Sequence, residues 1–423
     1  MPSPARALAL RVLRDVERGP GTLADRLAHG DVATLEPRER AFLHELLLGT
    51  LRRRGAIDHA LAPLLDRPLA QVGAEVRAVL RLGAHQILHL RVPARAAVHE
   101  AVAMARAVAP RATGFVNAVL RRLAREGAPD EPDPAREPLA WLTSAGSLPD
   151  WLARRWLSRL GAEAAVARAR AALEEPPAVF RLNPRRPDAL ARVLAAGLEP
   201  RPAPRAPGAW IATAGHPASL HAEGLLYLQD EAAQQVAALA CGPGLTLDAC
   251  AAPGGKTLLI ADKLAELRQA GLVVAAEASA RRLATMVRLV HRWGAHEVRI
   301  VHADGERPPF GASRFERMLL DAPCSGLGTL ARHPDLRWRV TEADLAAHAA
   351  RQRRLLDALA PLTRPGGQLV YATCSSEAEE NRDVVRGFLA DRGGFVEEPL
   401  PRDASNLATG DEGFFAAILR RVH

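Results

Sequence analysis

A chain of 423 residues is longer than a usual single domain, so two or three domains are expected, each burying its own core. Hydrophobic residues at 48% and charged residues at 25% exclude a disordered or collagen-like chain, and no apolar run nears the roughly 20 residues of a membrane span. The net charge of +8 is uneven: residues 1–130 carry 20 basic against 13 acidic side chains, 131–240 carry 12 against 12, and 241–423 carry 24 against 23. A basic segment joined to a neutral one suits a polyanion-binding module on a catalytic unit, although an arginine-rich solvated surface would give the same tally. The N-terminus lacks an export-signal pattern. Four cysteines without a C-x-x-C pair make neither a disulfide framework nor a structural zinc site, so no metal and a reducing cytoplasm are expected.

Residues 4–126 read as successive helices. Ala9, Val12, Leu13 and Val16 follow the i, i+3, i+4, i+7 spacing of one helical face, and Val76, Val79, Leu80 and Ile87 do likewise; Val98, Val102 and Val108 follow it less cleanly. This predicts an all-helical domain over 1–127. The segment 128–138, crowded with proline and acids, reads as a linker. Residues 139–240 predict a small α+β adapter: helices at 149–160 and 162–174, a strand Ala178–Leu182, a helix at 187–196, a strand Trp210–Thr213 and a helix from near Gln229. From 241 to 423 strands and helices alternate. Strands are expected at Leu245–Ala249, Leu272–Glu277, Glu297–Val301, Arg317–Asp321 and Gln368–Ala372, with helices such as 279–293 and 343–360 between them. Such alternation implies an α/β domain with a parallel sheet and ligands beyond the carboxyl ends of its strands.

Chemistry concentrates at those ends. Asp248-Ala-Cys250-Ala251-Ala252-Pro253-Gly254-Gly255-Lys256-Thr257 turns from strand to helix, and its glycines allow close backbone approach to a ligand at a helix N-terminus. Gly255-Lys256-Thr257 with Met318-Leu-Leu-Asp321 imitates a P-loop NTPase, but Cys250 stands where that pattern needs glycine and Pro253 removes a cradling amide. The competing reading is a nucleoside cofactor. Glu277 ends the next strand, where a carboxylate accepts from ribose hydroxyls, and Asp304 after the third could meet an adenine amine.

Cys324 follows the fourth strand and Cys374 the fifth, so a parallel sheet sets both thiols on the cofactor edge. A single cysteine is more often a small buried hydrophobe, but two at corresponding strand ends argue for reactivity. Cys374 also precedes the acidic start of a helix, whose N-terminus would favour a thiolate. A methyl donor beside a cysteine pair answers one hard reaction, methylation of cytosine C5. A thiolate added at C6 makes C5 nucleophilic, a carboxyl group such as Asp321 attends N3, and the C5 proton then leaves.

The runs 248–257, Asp321-Ala-Pro-Cys-Ser-Gly326, Arg332-His-Pro-Asp335 and Ala372-Thr-Cys-Ser375, in this order, resemble the signatures of the RNA cytosine-5 methyltransferases. Gly114-Phe-Val-Asn-Ala-Val-Leu-Arg-Arg122 resembles the NusB-like RNA-binding domain carried by the bacterial branch that modifies small-subunit (16S) rRNA. The resemblance implies a class I Rossmann-like methyltransferase domain using S-adenosyl-L-methionine, with an RNA-contacting adapter and structured RNA as partner. By motif, Cys374 would be the nucleophile, and Cys324 would assist proton removal or product release. Cys250 to Lys256, Glu277, Asp304 and Asp321 would line the cofactor site, and Asn183 with Gln229-Asp-Glu231 would support the structure. Glu277 stands in place of the family's usual aspartate, Gly328-Thr-Leu-Ala331 replaces a hydrophobic-basic run, and Glu412-Gly-Phe-Phe415 replaces Asp-Gly-Phe-Phe. The alternative reading is a non-catalytic NusB-type RNA-binding factor. Nothing in the sequence calls for an obligate interface, so a monomer is expected.

Overall fold

The computed structural model describes residues 2–18, 23–27, 30–215, 217–268 and 270–423. They form two compact units, Met1–Glu175 with Thr329–Glu342, and Pro176–Gly328 with Ala343–His423.

The first unit is helical. Its principal helices are Pro4–Arg18, Pro37–Arg52, Arg54–Leu61, Ala74–Leu88, Ala94–Val108, Thr113–Glu126 and Asp150–Leu173. Proline at the first position of the 37–52 helix has no amide to leave unpaired there. One apolar stripe per helix closes a core that includes Leu13, Leu43, Leu46, Leu82, Met104 and Leu120. On the 94–108 helix the stripe runs through Ala97, Ala101, Met104 and Ala105, while Val102 and Val108 pack at its margin. Gly161, at φ +77°, divides 150–173 into the two helices read from the sequence.

The unit boundary falls at Glu175, so the helices over 138–173, expected in the adapter, pack with the N-terminal helices instead. Residues 329–342 join them. Arg337 of that segment is wholly buried and donates to the carbonyls of Arg52, Ser147, Ala172 and Leu330. Trp338 donates to Leu51 O at 2.7 Å and carries the Arg54 guanidinium on its ring face. Asp335 Oδ2 accepts from Leu23 N at 3.2 Å. The motif Arg332-His-Pro-Asp335 thus leads into the interior of the helical unit.

The second unit opens with a small antiparallel sheet of β1 (Val179–Leu182), β2 (Pro200–Pro202), β3 (Ala209–Ala212) and β4 (Leu226–Leu228), in the order β2-β3-β1-β4. The main sheet follows: β5 (Gly244–Asp248), β6 (Gly271–Glu277), β7 (Val298–His302), β8 (Phe315–Asp321), β9 (Thr363–Thr373), β10 (Phe395–Glu398) and β11 (Phe415–Arg421). Its order is β10-β11-β9-β8-β5-β6-β7; β5 to β9 are parallel, and β11 runs antiparallel to both β9 and β10. The sequence reading located the five parallel strands within a few residues and left β10 and β11 unset.

Side chains alternate along the strands. Val273, Ala275, Leu319 and Val370 face helices 231–239, 255–266 and 280–293, whereas Val274, Met318, Leu320 and Leu369 face helices 342–359 and 382–391. The chain builds outward from β5 through β6 to β7, then returns to place β8 on β5's other side. That reversal makes the carboxyl ends of β5 and β8 the topological switch point, the usual ligand position in such sheets.

Candidate active site

The turn after β5 is shaped by close packing. Gly254 lies at φ +112°, where a side chain would be strained, and a Cβ on Gly255 would stand 2.3 Å from Tyr227 Cε1. Behind the turn, Asp248 is buried and accepts from Thr257 Oγ1 at 2.6 Å. Burial pushes its carboxyl up to about 7, opposed by the Thr257 hydrogen bond and reinforced by the negative charge of Asp321. Lys256 Nζ lies 2.6 Å from Asp321 Oδ2 at the tip of β8. The lysine and threonine that would serve phosphate and magnesium in a P-loop are therefore engaged by carboxylates, which weighs against the P-loop NTPase reading. Among the described residues no cluster of His, Cys, Asp and Glu could hold a metal ion.

Glu277 ends β6 almost fully buried. Its Oε1 accepts from Ser279 N at 2.8 Å, and its Oε2 lies 3.3 Å from Arg282 Nη1. Arg282 also donates to Ala252 O, linking Glu277 to the glycine turn; no motif announced this arginine. Asp304 sits exposed after β7 and accepts from Glu306 N at 3.0 Å. A Cβ on the adjacent Gly305 would be 3.6 Å from Ala249 O and 3.9 Å from Cys250 Sγ, so the turns after β5 and β7 touch. Ala251 and Ala252 are buried and Pro253 is exposed. Cys250 has its thiol pushed up to about 12, first by burial and then by the charges of Asp248, Asp321 and Glu277, so it is no nucleophile at neutral pH.

The two cysteines at strand ends meet. Cys324 Sγ and Cys374 Sγ are 3.4 Å apart, because β8 and β9 are parallel neighbours with Asp321 opposite Ala372. The Cys324 thiol is held well above its ordinary value, first by its hydrogen bond to Cys374, then by burial and by the charges of Cys374 and Glu380. Either sulfur can donate across this contact, so the two thiols share one hydrogen bond. The helix after Cys374 starts only at Arg382, preceded by a single 3₁₀ turn over Ala378–Glu380, so the expected helix N-terminus is not adjacent to this sulfur. Gly328 N donates to Cys374 O at 3.0 Å, and a Cβ on Gly328 would stand 1.9 Å from Gly413 O; the Glu412-Gly-Phe-Phe415 run braces this loop.

Support comes from Asn183, expected to support the structure, and from Glu380, Gln352 and Arg181, which the sequence did not single out. Glu380, fully buried, takes hydrogen bonds from the turns of both cysteines. Gln352 donates to Pro323 O at 3.0 Å and to Glu380 Oε1 at 3.2 Å. On the other flank Arg181 of β1 pairs with Asp262 at 2.6 Å and donates to Gly255 O at 3.3 Å, while Asn183 donates to Gly224 O and Trp293 O. The small sheet is thereby fastened to the glycine turn.

The family model described as 16S rRNA methyltransferase RsmB/F matches residues 240–419, and the NusB family model matches residues 3–125. The Ribosomal RNA small subunit methyltransferase B of Thermus thermophilus is 36% identical over 431 residues, covering 99% of this chain and 98% of its own. The protein of the same name from Pseudomonas syringae pv. tomato is 33% identical over 443 residues, covering 99% and 97%. The crystal structure of the protein PH0851 shares the fold, with a TM-score of 0.79 at 23% identity over 100% of this chain and 99% of that one. On matches spanning almost its full length, the chain belongs to the RsmB/F family of 16S rRNA methyltransferases, with a NusB-family domain at its N-terminus.

Proposed function

We propose that this protein methylates C5 of a cytosine in 16S rRNA with S-adenosylmethionine, through a covalent bond between Cys374 and C6 of the ring. The observation that carries the reading is the thiol pair at 3.4 Å, on the sheet edge that also bears Glu277 and the glycine turn.

The residues fit the cofactor by their chemistry. Glu277 offers carboxylate oxygens to ribose hydroxyls, Asp304 can accept from an adenine amine, and the amides opening the 255–266 helix suit a carboxylate. Cys250 to Lys256 and Asp321 complete the lining. Bound there, S-adenosylmethionine supplies an electrophilic methyl group.

The protein's own steps follow from its charges. The Cys374 thiolate bonds to C6, the C5–C6 double bond opens, and C5 becomes nucleophilic. N3 gains a proton as this happens; Asp321 is the carboxyl facing it, with the Lys256 ammonium as the reservoir behind. Once Cys374 is a thioether, its hydrogen bond and charge no longer raise the Cys324 thiol, which leaves only burial and the Glu380 charge to do so. Cys324 can then release its proton to water and take the C5 proton as general base. Loss of Cys374 from C6 restores the aromatic ring, and N3 returns its proton. A paired base cannot present C6 to a thiol, so an unpaired or extruded cytosine is required. The helical unit, holding most of the chain's excess positive charge, supplies phosphate contacts.

Incubation with 16S rRNA containing 5-fluorocytidine tests the reading, since fluorine cannot leave C5 as a cation and the adduct persists. A gel-shifted complex mapping to Cys374, absent in Cys374→Ala and enriched on natural RNA in Cys324→Ala, is expected. Undiminished methyl transfer by Cys374→Ala would end the mechanism. Bisulfite sequencing of RNA treated with the protein locates the cytosine.

A further inference from the structure

We propose that Glu380 is a positioning residue of the thiol pair: its buried carboxylate clamps the turn carrying Cys324 to the turn carrying Cys374, fixes their spacing and places its charge beside Cys324. The inference rests on the cysteine reading above.

Glu380 is fully buried. Its Oε1 accepts from Ser325 N at 2.8 Å and Gln352 Nε2 at 3.2 Å, and its Oε2 accepts from Ser325 Oγ and Ser375 Oγ, both at 2.5 Å. The two serines are the residues immediately after the two cysteines, so a single carboxylate grips both active turns from behind. Its own carbonyl accepts from Tyr371 OH at 2.5 Å, fixing the clamp to β9. Taking a carboxylate out of water costs several kcal/mol unless its acceptor sites are filled. Four donors fill them here. Packing alone would be met by an apolar or amide side chain without that cost; what a carboxylate adds is charge beside Cys324 and a rigid two-oxygen fork.

The groups facing the sulfurs come from every neighbouring element. Cys374 and Tyr371 belong to β9 and its tip, Glu380 to the 378–380 turn, and the Lys256–Asp321 pair joins the glycine turn to β8. The Cys374 charge acts on Lys256, and the charges of Cys374 and Glu380 act on Cys324. Removing the Glu380 charge therefore makes the Cys324 thiol more acidic. Glutamine preserves the shape of the clamp, and the serine hydroxyls can turn to accept from its amide.

The test is iodoacetamide alkylation of the full-length protein as a function of pH, with each cysteine quantified by mass spectrometry. In Glu380→Gln the midpoint for Cys324 should fall by about one pH unit. Glu380→Asp, which keeps the charge, should hold that midpoint within about 0.3 unit of the parent. Turnover of Glu380→Gln should drop at least about tenfold while KM for RNA and the affinity for S-adenosylmethionine stay within about twofold. An unchanged Cys324 midpoint in Glu380→Gln overturns the proposal, as does a loss of cofactor affinity parallel to turnover, which would mark Glu380 as mere scaffolding. Alkylation is read without RNA, so it stands or falls independently of whether Cys374 is the base-attacking group; the fluorinated RNA decides that.

Discussion

Lys256 and Asp321, 65 residues apart in sequence, form a 2.6 Å ion pair that ties the helix start after β5 to the tip of β8. Burial works to lower the lysine, but the Asp321 charge and hydrogen bond outweigh it and hold the ammonium above its usual value. A raised folded value means that the pair's stabilisation is complete at neutral pH and is lost only as pH rises past the ordinary lysine range. Lys256→Met should therefore leave Asp321 unpaired and slow single-turnover methyl transfer by about 10²-fold at pH 7.5. A rate within twofold of the parent would reduce the pair to an incidental contact.

The helical unit should be acid-labile. Burial drives His85 down to about 3, with His89 and nearby arginines adding, and drives His89 down to about 4. Both are neutral when folded and bind protons more readily when unfolded, so stability is full above about pH 6.5 and falls as pH drops toward 3 to 4. For His85 alone the loss between pH 7.5 and 4.5 is about 2–3 kcal/mol. Urea unfolding at the two pH values should show it, and His85→Leu should flatten the difference. The replacement must stay small on that side, since a Cβ on Gly49 would already stand 2.3 Å from His85 Nε2.

Arg337 is a buried cation that donates to four carbonyls and, among the described residues, to no carboxylate. Two of the four carbonyls it serves, Arg52 O and Ala172 O, close the helices 37–52 and 150–173, whose C-terminal dipoles favour a positive charge. Burial lowers the guanidinium to about 9, still charged at neutral pH. Arg337→Met should cost the helical unit about 2–4 kcal/mol by stranding those carbonyls. Arg337→Lys should not restore it, because one ammonium cannot span a planar fork's partners. Chemical denaturation followed by Trp fluorescence measures both.

The glycine turn tolerates no side chain at Gly255. With its Cβ aimed at Tyr227 Cε1, Gly255→Ala should weaken S-adenosylmethionine binding by about tenfold or more, and Gly255→Ala with Tyr227→Ala should recover part of the loss. Calorimetric titration distinguishes the cases. An equal loss in the single and double variants would show that the turn fails for some other reason.

The placement of the two thiols was legible because each follows a strand and precedes a polar turn, a local pattern that fixes the sheet edge once the strands are parallel. Glu380 was not legible. In Glu377-Ala-Glu-Glu-Asn381 it reads as one acid of a solvated helix start, and only the inward 3₁₀ turn reveals it as the carboxylate behind the cysteines. Arg282 and Arg337 were hidden by composition, since 54 of the 56 basic residues are arginine and none stands out by type.

Sequence by itself determined the succession of strand, turn and helix, and with it which chemical groups end which strand, because those patterns extend over ten residues or fewer and obey the local periods of 2 and 3.6. Periodicity states that a face is buried but not what buries it. Only the folded chain brought Cys324 within 3.4 Å of Cys374 across 50 residues, and only it put 139–175 and 329–342 among the N-terminal helices. Apolar contact is non-directional, and the choice among apolar partners is made by shape and by the few buried charges that must find donors or acceptors.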